Sequence, residues 1–216
     1  MKKITKWFFG VLCVCSVMST GFLTIAASAD TVTIAEEIFP NEQVDEIEKE
    51  ILMRTVYDDK DKEGKFFVAD ARSSTNYPTR SGIILVTSDK YKGLIPTGHA
   101  AIVWAKPTVI ESLANGVVTG PNDWYNSKTT CYGVAVNGTT FEQDDYASNW
   151  CYGQRGKPYN FNFYDVGTRE KFYCSQLVWA AFKDNYNIDL NTSEFGVAVH
   201  PLELAVAQNT YIVYKK

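Results

Sequence analysis

HAAIVWAKPTVIES, residues 99–112, reads as two short strands joined by a tight connection. Ala, Ile, Val and Trp fill the first run and Val and Ile the second, the composition of an antiparallel pair. With Trp104-Ala105-Lys106 as a three-residue loop, residue 103 faces 107, and counting outward brings His99 opposite Glu111. Opposed residues share a face, with Cβ atoms about 4.5–5.5 Å apart. Glu111 would then accept the imidazole N–H and fix its tautomer, which accounts for a carboxylate in the otherwise apolar VIES. The pairing is conditional on register, because a slip of one residue sends the two side chains to opposite faces.

A histidine oriented in this way needs a partner, and KFYCSQLVWAAF, residues 171–182, supplies a candidate. Leu177, Val178, Ala181 and Phe182 follow Cys174 at the spacing of one helical face. Cys174 lies on that face and in the first turn. The thiolate is the attacking species, yet a free thiol is only a few per cent ionised at neutral pH. A helix N-terminus favours the anion through its unpaired N–H groups and macrodipole. The base would be one of two histidines. His200 sits in VHPLEL, between an expected strand and a proline. His99 opens a strand behind Thr97-Gly98, which leaves room for a substrate beside the ring, so His99 is preferred.

Each of these residues also has a plain structural reading. Free cysteine is among the most buried residue types, a lone histidine at a strand end is more often structural, and Glu111 is by default a surface charge. Only their convergence makes a site.

The flanks bound the setting. The chain opens MKKITKWFFGVLCVCSVMSTGFLTIAASAD, a basic head, an apolar run and the small-residue site Ala27-Ser28-Ala29. This is the layout of a secretory signal peptide over residues 1–29, cleaved after Ala29. An uncleaved N-terminal anchor is the main alternative; the context of Cys13 does not suit lipid attachment. Those residues carry three lysines and no acid. Of 21 basic and 25 acidic side chains, 18 and 25 would remain, a net charge near −7. That balance argues against nucleic acid or an anionic membrane surface as partner. The mature chain is expected to be secreted or extracytoplasmic, its oligomeric state open.

Residues 30–65 read as an N-terminal helical lead-in and 66–216 as the domain proper. Asn41 is expected to cap a helix to about Asp58, followed by the charged loop DDKDKEGK. Strands are expected in FFVAD, GIILVT (82–87), TCYGVAV (130–136) and TYIVY. A helix over roughly 141–152 is signalled by Thr140 with Gln143 three residues on, a capping box. Helices flanking a run of sequence-adjacent strands predict an α+β fold with an antiparallel sheet. Cys131 and Cys151 are compatible with a disulfide and equally with reduced thiols. With two histidines far apart and no Cys-x-x-Cys pair, no metal site is expected, nor any cofactor. Neither a G-x-S-x-G elbow nor a phosphate-binding G-x-x-x-x-G-K-[ST] is present. Trp124, Trp150 and Tyr152 are candidates to line a cleft.

GKPYNF (156–161) followed by FYCSQLVWAAF resembles the G-x-P-Y and Cys-Ser-x-Leu-Val motifs of the NlpC-type papain-like cysteine hydrolases. Here GHAAIVW and VIES precede the cysteine, an order similar to the circularly permuted, YiiX-like branch, itself related to the lecithin–retinol acyltransferase group. The likeness runs from about Ser81 to Leu204. It implies a permuted papain-like fold with the nucleophile at a helix N-terminus, Cys174 as nucleophile, His99 as base and Glu111 as orienting group. It also puts Tyr159, the tyrosine of G-x-P-Y, beside the oxyanion site. The chain departs from the pattern at Tyr173 (often Asp), Gln176 (Gly or Glu) and Arg80-Ser81-Gly82 (often Pro-Gly-Asp). Residues 30–65 fall outside the motif and are expected to cover or shape the cleft. The implied function is a secreted thiol amidase acting on cell-wall peptides or related small amides. A thiol acyltransferase or esterase, and a binding domain with a buried cysteine, are the alternatives.

Overall fold

The strands are β1 Ile84–Thr87, β2 His99–Ala105, β3 Thr108–Leu113, β4 Gly116–Pro121, β5 Tyr132–Val136 and β6 Thr210–Lys215. They form one sheet in the order β4-β3-β2-β1-β5-β6, every neighbouring pair antiparallel. The helices are α1 Asn41–Met53, α2 Trp124–Ser127, α3 Phe141–Gly153, α4 Cys174–Tyr186 and α5 Glu203–Val206. This is the α+β architecture expected. In this computed structural model residues 35–59, 76–90 and 97–216 are described. Residues 1–29, read above as a leader, the FFVAD segment expected as a strand and most of DDKDKEGK lie outside them.

Alternation along the strands sends side chains to two cores. Ile84, Val86, Ala100, Ile102 and Ile110 join the helices in the larger cluster. Ile83, Leu85, Ala101, Val103 and Val109 join Trp124, Cys131, Tyr211 and Val213 in a second. With both faces covered, every residue of β1 and β5 is buried, which is why these strands read as unbroken apolar runs.

The β2–β3 register differs from the expected one. Ala101 pairs with Glu111, Ile102 with Ile110 and Val103 with Val109, and a bulge at Trp104 precedes the Ala105–Thr108 pair. The connection is therefore Lys106-Pro107, a two-residue turn, rather than Trp104-Ala105-Lys106. Pro107 has no N–H to give a ladder and belongs in the turn. The extra residue in β2 is taken up as a bulge, and Trp104 stacks on Tyr152 of α3, ring centroids 4.1 Å apart, and donates from its indole nitrogen to Asn149. The displacement is two residues, an even number, so His99 and Glu111 keep a common face as diagonal rather than direct neighbours.

α4 is also more enclosed than one apolar stripe predicts. All nine residues from Cys174 to Phe182 are buried, between α3 and the β2–β3 hairpin. Its polar members are satisfied inside: Ser175 Oγ donates to Val199 O at 2.6 Å. The expected capping box on α3 is present, Thr140 and Gln143 exchanging bonds of 2.9 and 3.3 Å.

Some bounds and elements differ from the expected ones. α1 starts behind Pro40, so Asn41 is its first residue and not its cap. It ends at Met53, because Arg54 turns extended, donating to Ala205 O and Val206 O, and Val56 then bridges to Ile212. The residues before His200 form a turn and not a strand, and β4 is a strand additional to those expected. Ala35, Ile38 and Phe39, with Val44, Ile47 and Ile51 of α1, belong to the larger core. No helix among the described residues is long and apolar enough to cross a membrane.

Candidate active site

Cys174 is the first residue of α4, directly after Tyr173 at the cap position. His99 is the first residue of β2 and Glu111 stands midway along β3. The three converge. His99 Nε2 and Glu111 Oε2 lie 2.6 Å apart, their side chains 14% and 11% exposed. The imidazole is also hydrogen-bonded to the Cys174 thiol, and with Nε2 engaged by Glu111 the nitrogen left for sulfur is Nδ1. The backbone N–H groups of Ala100 and Ser175 donate to the same sulfur.

The electrostatics follow from these contacts. Burial works against charge on both partners. For Cys174 it is outweighed by the hydrogen bond and charge of His99 and by the two N–H donors, which hold the thiol below its ordinary range. For His99, burial lowers the pKa, but the contacts with Cys174 and Glu111 overcome it and raise it to about 9. Each partner stabilises the other's charged form, so the arrangement favours thiolate and imidazolium together.

Room for the carboxylate comes from β4. A Cβ added at Gly120 would collide with Glu111 Oε1. Only glycine lets the β4 backbone lie against the carboxylate. Gly98, φ +53°, is the other glycine at the site: it turns the chain into β2, and a Cβ there would meet Thr87 O at 2.5 Å.

Tyr159 forms an isolated bridge with Phe172, two residues ahead of Cys174, and its ring tilts against Phe161 at 4.8 Å. His200 is elsewhere: fully buried, with Nδ1 accepting from the Leu202 N–H at 3.2 Å and its ring beside Phe39 and Phe195. The face of the His99 ring, expected to be open beside Gly98, is instead covered by Trp124, whose indole stacks on it at 5.4 Å and 26°. Trp124 was legible as a cleft aromatic, but nothing in its spacing tied it to His99.

The departures from the family motif are structural here. Tyr173 Oη donates to Phe163 O at 3.3 Å and accepts from the Val199 N–H at 3.1 Å. Gln176 Oε1 accepts from the Tyr173 N–H and from Asn160, and its Nε2 donates to the carbonyls of Asp165, Val166 and Thr168. At Arg80-Ser81-Gly82, the guanidinium pairs with Asp59 and Asp144. Phe39, from the N-terminal segment, packs edge-on against Phe163, which packs against Tyr173. Cys131 and Cys151 are free thiols in opposite cores, so the disulfide alternative is not realised.

Comparison with known proteins agrees with this fold. The profile of the permuted papain-like amidase enzymes, the YaeF/YiiX, C92 family, matches residues 79–201. Among solved structures, that of the metalloprotein YiiX from Escherichia coli O157:H7 superposes with a TM-score of 0.51 at 17% identity. The match covers 64% of this chain and 98% of that one. No curated protein matches. Among the described residues of this chain, no three His, Cys, Asp or Glu side chains gather as a metal site would require.

Proposed function

Because the chain belongs to the permuted papain-like amidases, we propose that it is an exported thiol amidase with Cys174 as nucleophile, His99 as acid–base and Glu111 as the orienting carboxylate. The observation that carries this reading is the unbroken chain of contacts from Glu111 through His99 to the sulfur at the start of α4. The sulfur attacks the amide carbon, a C–S bond forms, and the carbonyl electrons move onto oxygen. The Cys174 backbone N–H and the Tyr159 hydroxyl are the proposed donors to that oxyanion. As the C–N bond breaks, the imidazolium proton passes to the leaving amine. Neutral His99 then takes a proton from water, whose oxygen attacks the thioester; the C–S bond breaks, the acid leaves and the ion pair is restored.

Export rests on the leader-like residues 1–29, and it makes cell-wall peptides or related small amides the substrates to try first. The test uses enzyme titrated at Cys174 and incubated with purified wall peptides. Release of a free amine, lost on Cys174→Ala, is expected. The rate should rise as the thiol ionises below its ordinary range and fall as His99 loses its proton near pH 9, since the leaving amine then lacks its donor. No amine release from enzyme whose thiol is alkylatable overturns the substrate reading. Diversion of the acyl group to an added amine or alcohol instead of water points to transfer.

A further inference from the structure

We propose that Trp124 is a positioning residue for this reaction: its indole, stacked on the His99 ring, holds the imidazole in line with Cys174 and favours its protonated form. The inference rests on the Cys174–His99 reading above and adds a third constraint to it. Glu111 and Cys174 hold the ring by atoms in its plane, and neither prevents it from tilting about the line joining them. An aromatic plane against its face does.

The indole is itself anchored. Trp124 is 3% exposed and begins α2. Its backbone N–H donates to Tyr77 Oη at 3.1 Å, and that hydroxyl donates to Asn122 Oδ1 at 2.7 Å. Asn122 Nδ2 in turn donates to Pro78 O and Lys106 O, both at 3.1 Å, and the Asn122 N–H donates to Pro107 O at 3.0 Å. Lys106-Pro107 is the turn of the hairpin that carries His99 and Glu111. The plate over the ring and the carboxylate beside it are thus fixed to one supersecondary unit, so they move together.

The chemistry of the stack favours charge. A cation within about 6 Å of an indole face is attracted by its π density. Among the described residues, the groups facing His99 are Glu111 from β3, Cys174 from α4 and Trp124 from α2; its cross-strand neighbour on β1, Thr87, is uncharged. Lys128, after α2, carries its Nζ 5.1 Å from the centre of the same indole and is the other cation on that π system. Losing the indole removes a contact that imidazolium gains and neutral imidazole largely lacks. His99 then gives up its proton more easily, and Cys174 keeps its own to higher pH.

The test is the pH profile of Cys174 alkylation by iodoacetamide in the full chain, for wild type, His99→Gln, Trp124→Leu and Trp124→Phe. In Trp124→Leu the acid midpoint is expected to rise by about 0.5–1 on the pH scale, a three- to tenfold slower alkylation below it. Phenylalanine attracts a cation less than tryptophan, so Trp124→Phe moves it the same way by a smaller step. Midpoints unmoved in the folded variants overturn the inference while leaving the Cys–His pair standing. Coincident wild-type and His99→Gln profiles would instead remove the pair itself. A measurement on unmodified protein guards against misfolding of Trp124→Leu. With two histidines in the chain, the His99 ring-proton resonance is identified by its loss in His99→Gln. It is expected upfield by the indole ring current, and an ordinary position overturns the inference.

Discussion

Cys174 and Cys151 lie on two helices that pack against each other, both buried, and they behave in opposite ways. Cys151 is in the last turn of α3, at the negative end of its helix, and its thiol donates to Leu177 O at 3.7 Å. Burial pushes it up and nothing opposes the push. Cys174 starts α4, at the positive end, and meets donors: an imidazole and two backbone N–H groups. Burial alone does not decide whether a thiol is inert. What decides is whether the surrounding dipoles offer hydrogens or lone pairs to the sulfur. Cys131, beneath the other face of the sheet, is also raised by burial, to about 12, although the charges of Lys216 and Lys128 oppose the push.

That contrast can be broken most sharply at His99. Replacing it with glutamine removes the proton carrier and the main opponent of burial, and amidase turnover is expected to fall about 10³-fold. Thiol alkylation at neutral pH should slow with it; a Cys174 that alkylates as fast without His99 would refute the account of the ion pair. A smaller effect is expected from Gly120→Ala, which touches neither thiol nor imidazole. The added methyl displaces the Glu111 carboxylate or the β4 backbone, loosening the His99 tautomer, and turnover should drop about tenfold with the protein still folded. Unchanged kinetics would mean the carboxylate has room that the geometry denies. The smallest effect belongs to Cys151→Ala. It should lower unfolding stability by about 1 kcal/mol through a small cavity and leave the stoichiometry of thiol labelling at one per chain. A fall in labelling would mean that Cys151 contributes to it.

The hairpin shows how much of this was readable. Apolar runs and a lone acid in VIES suggest a hairpin with His99 and Glu111 on one face, but that placement is conditional on a register the pattern does not set. The expected turn was one residue too long and its count ignored a bulge, and the two errors combined into an even displacement. The contact therefore survives at 2.6 Å although the opposed pair is Ala101–Glu111. The helix at Cys174 was legible because its apolar spacing is regular. Its full enclosure was not, since Ser175 and Gln176 look like surface residues until their buried partners are known. β4 was hidden by two glycines and a proline, one glycine being there for Glu111. Trp124 stacks on His99 through a contact between segments 25 positions apart, which no local pattern encodes.

Gln176 carries a consequence for how such a chain can change. Its amide nitrogen serves three carbonyls between Asp165 and Thr168 while its oxygen serves Tyr173 and Asn160. A carboxylate has no hydrogens for those carbonyls, and a glycine has nothing to reach them with. Either residue at position 176 would leave the carbonyls of Asp165, Val166 and Thr168 without this donor. In this chain the path of residues 160–168 is thus tied to the side chain at position 176, two residues past the nucleophile.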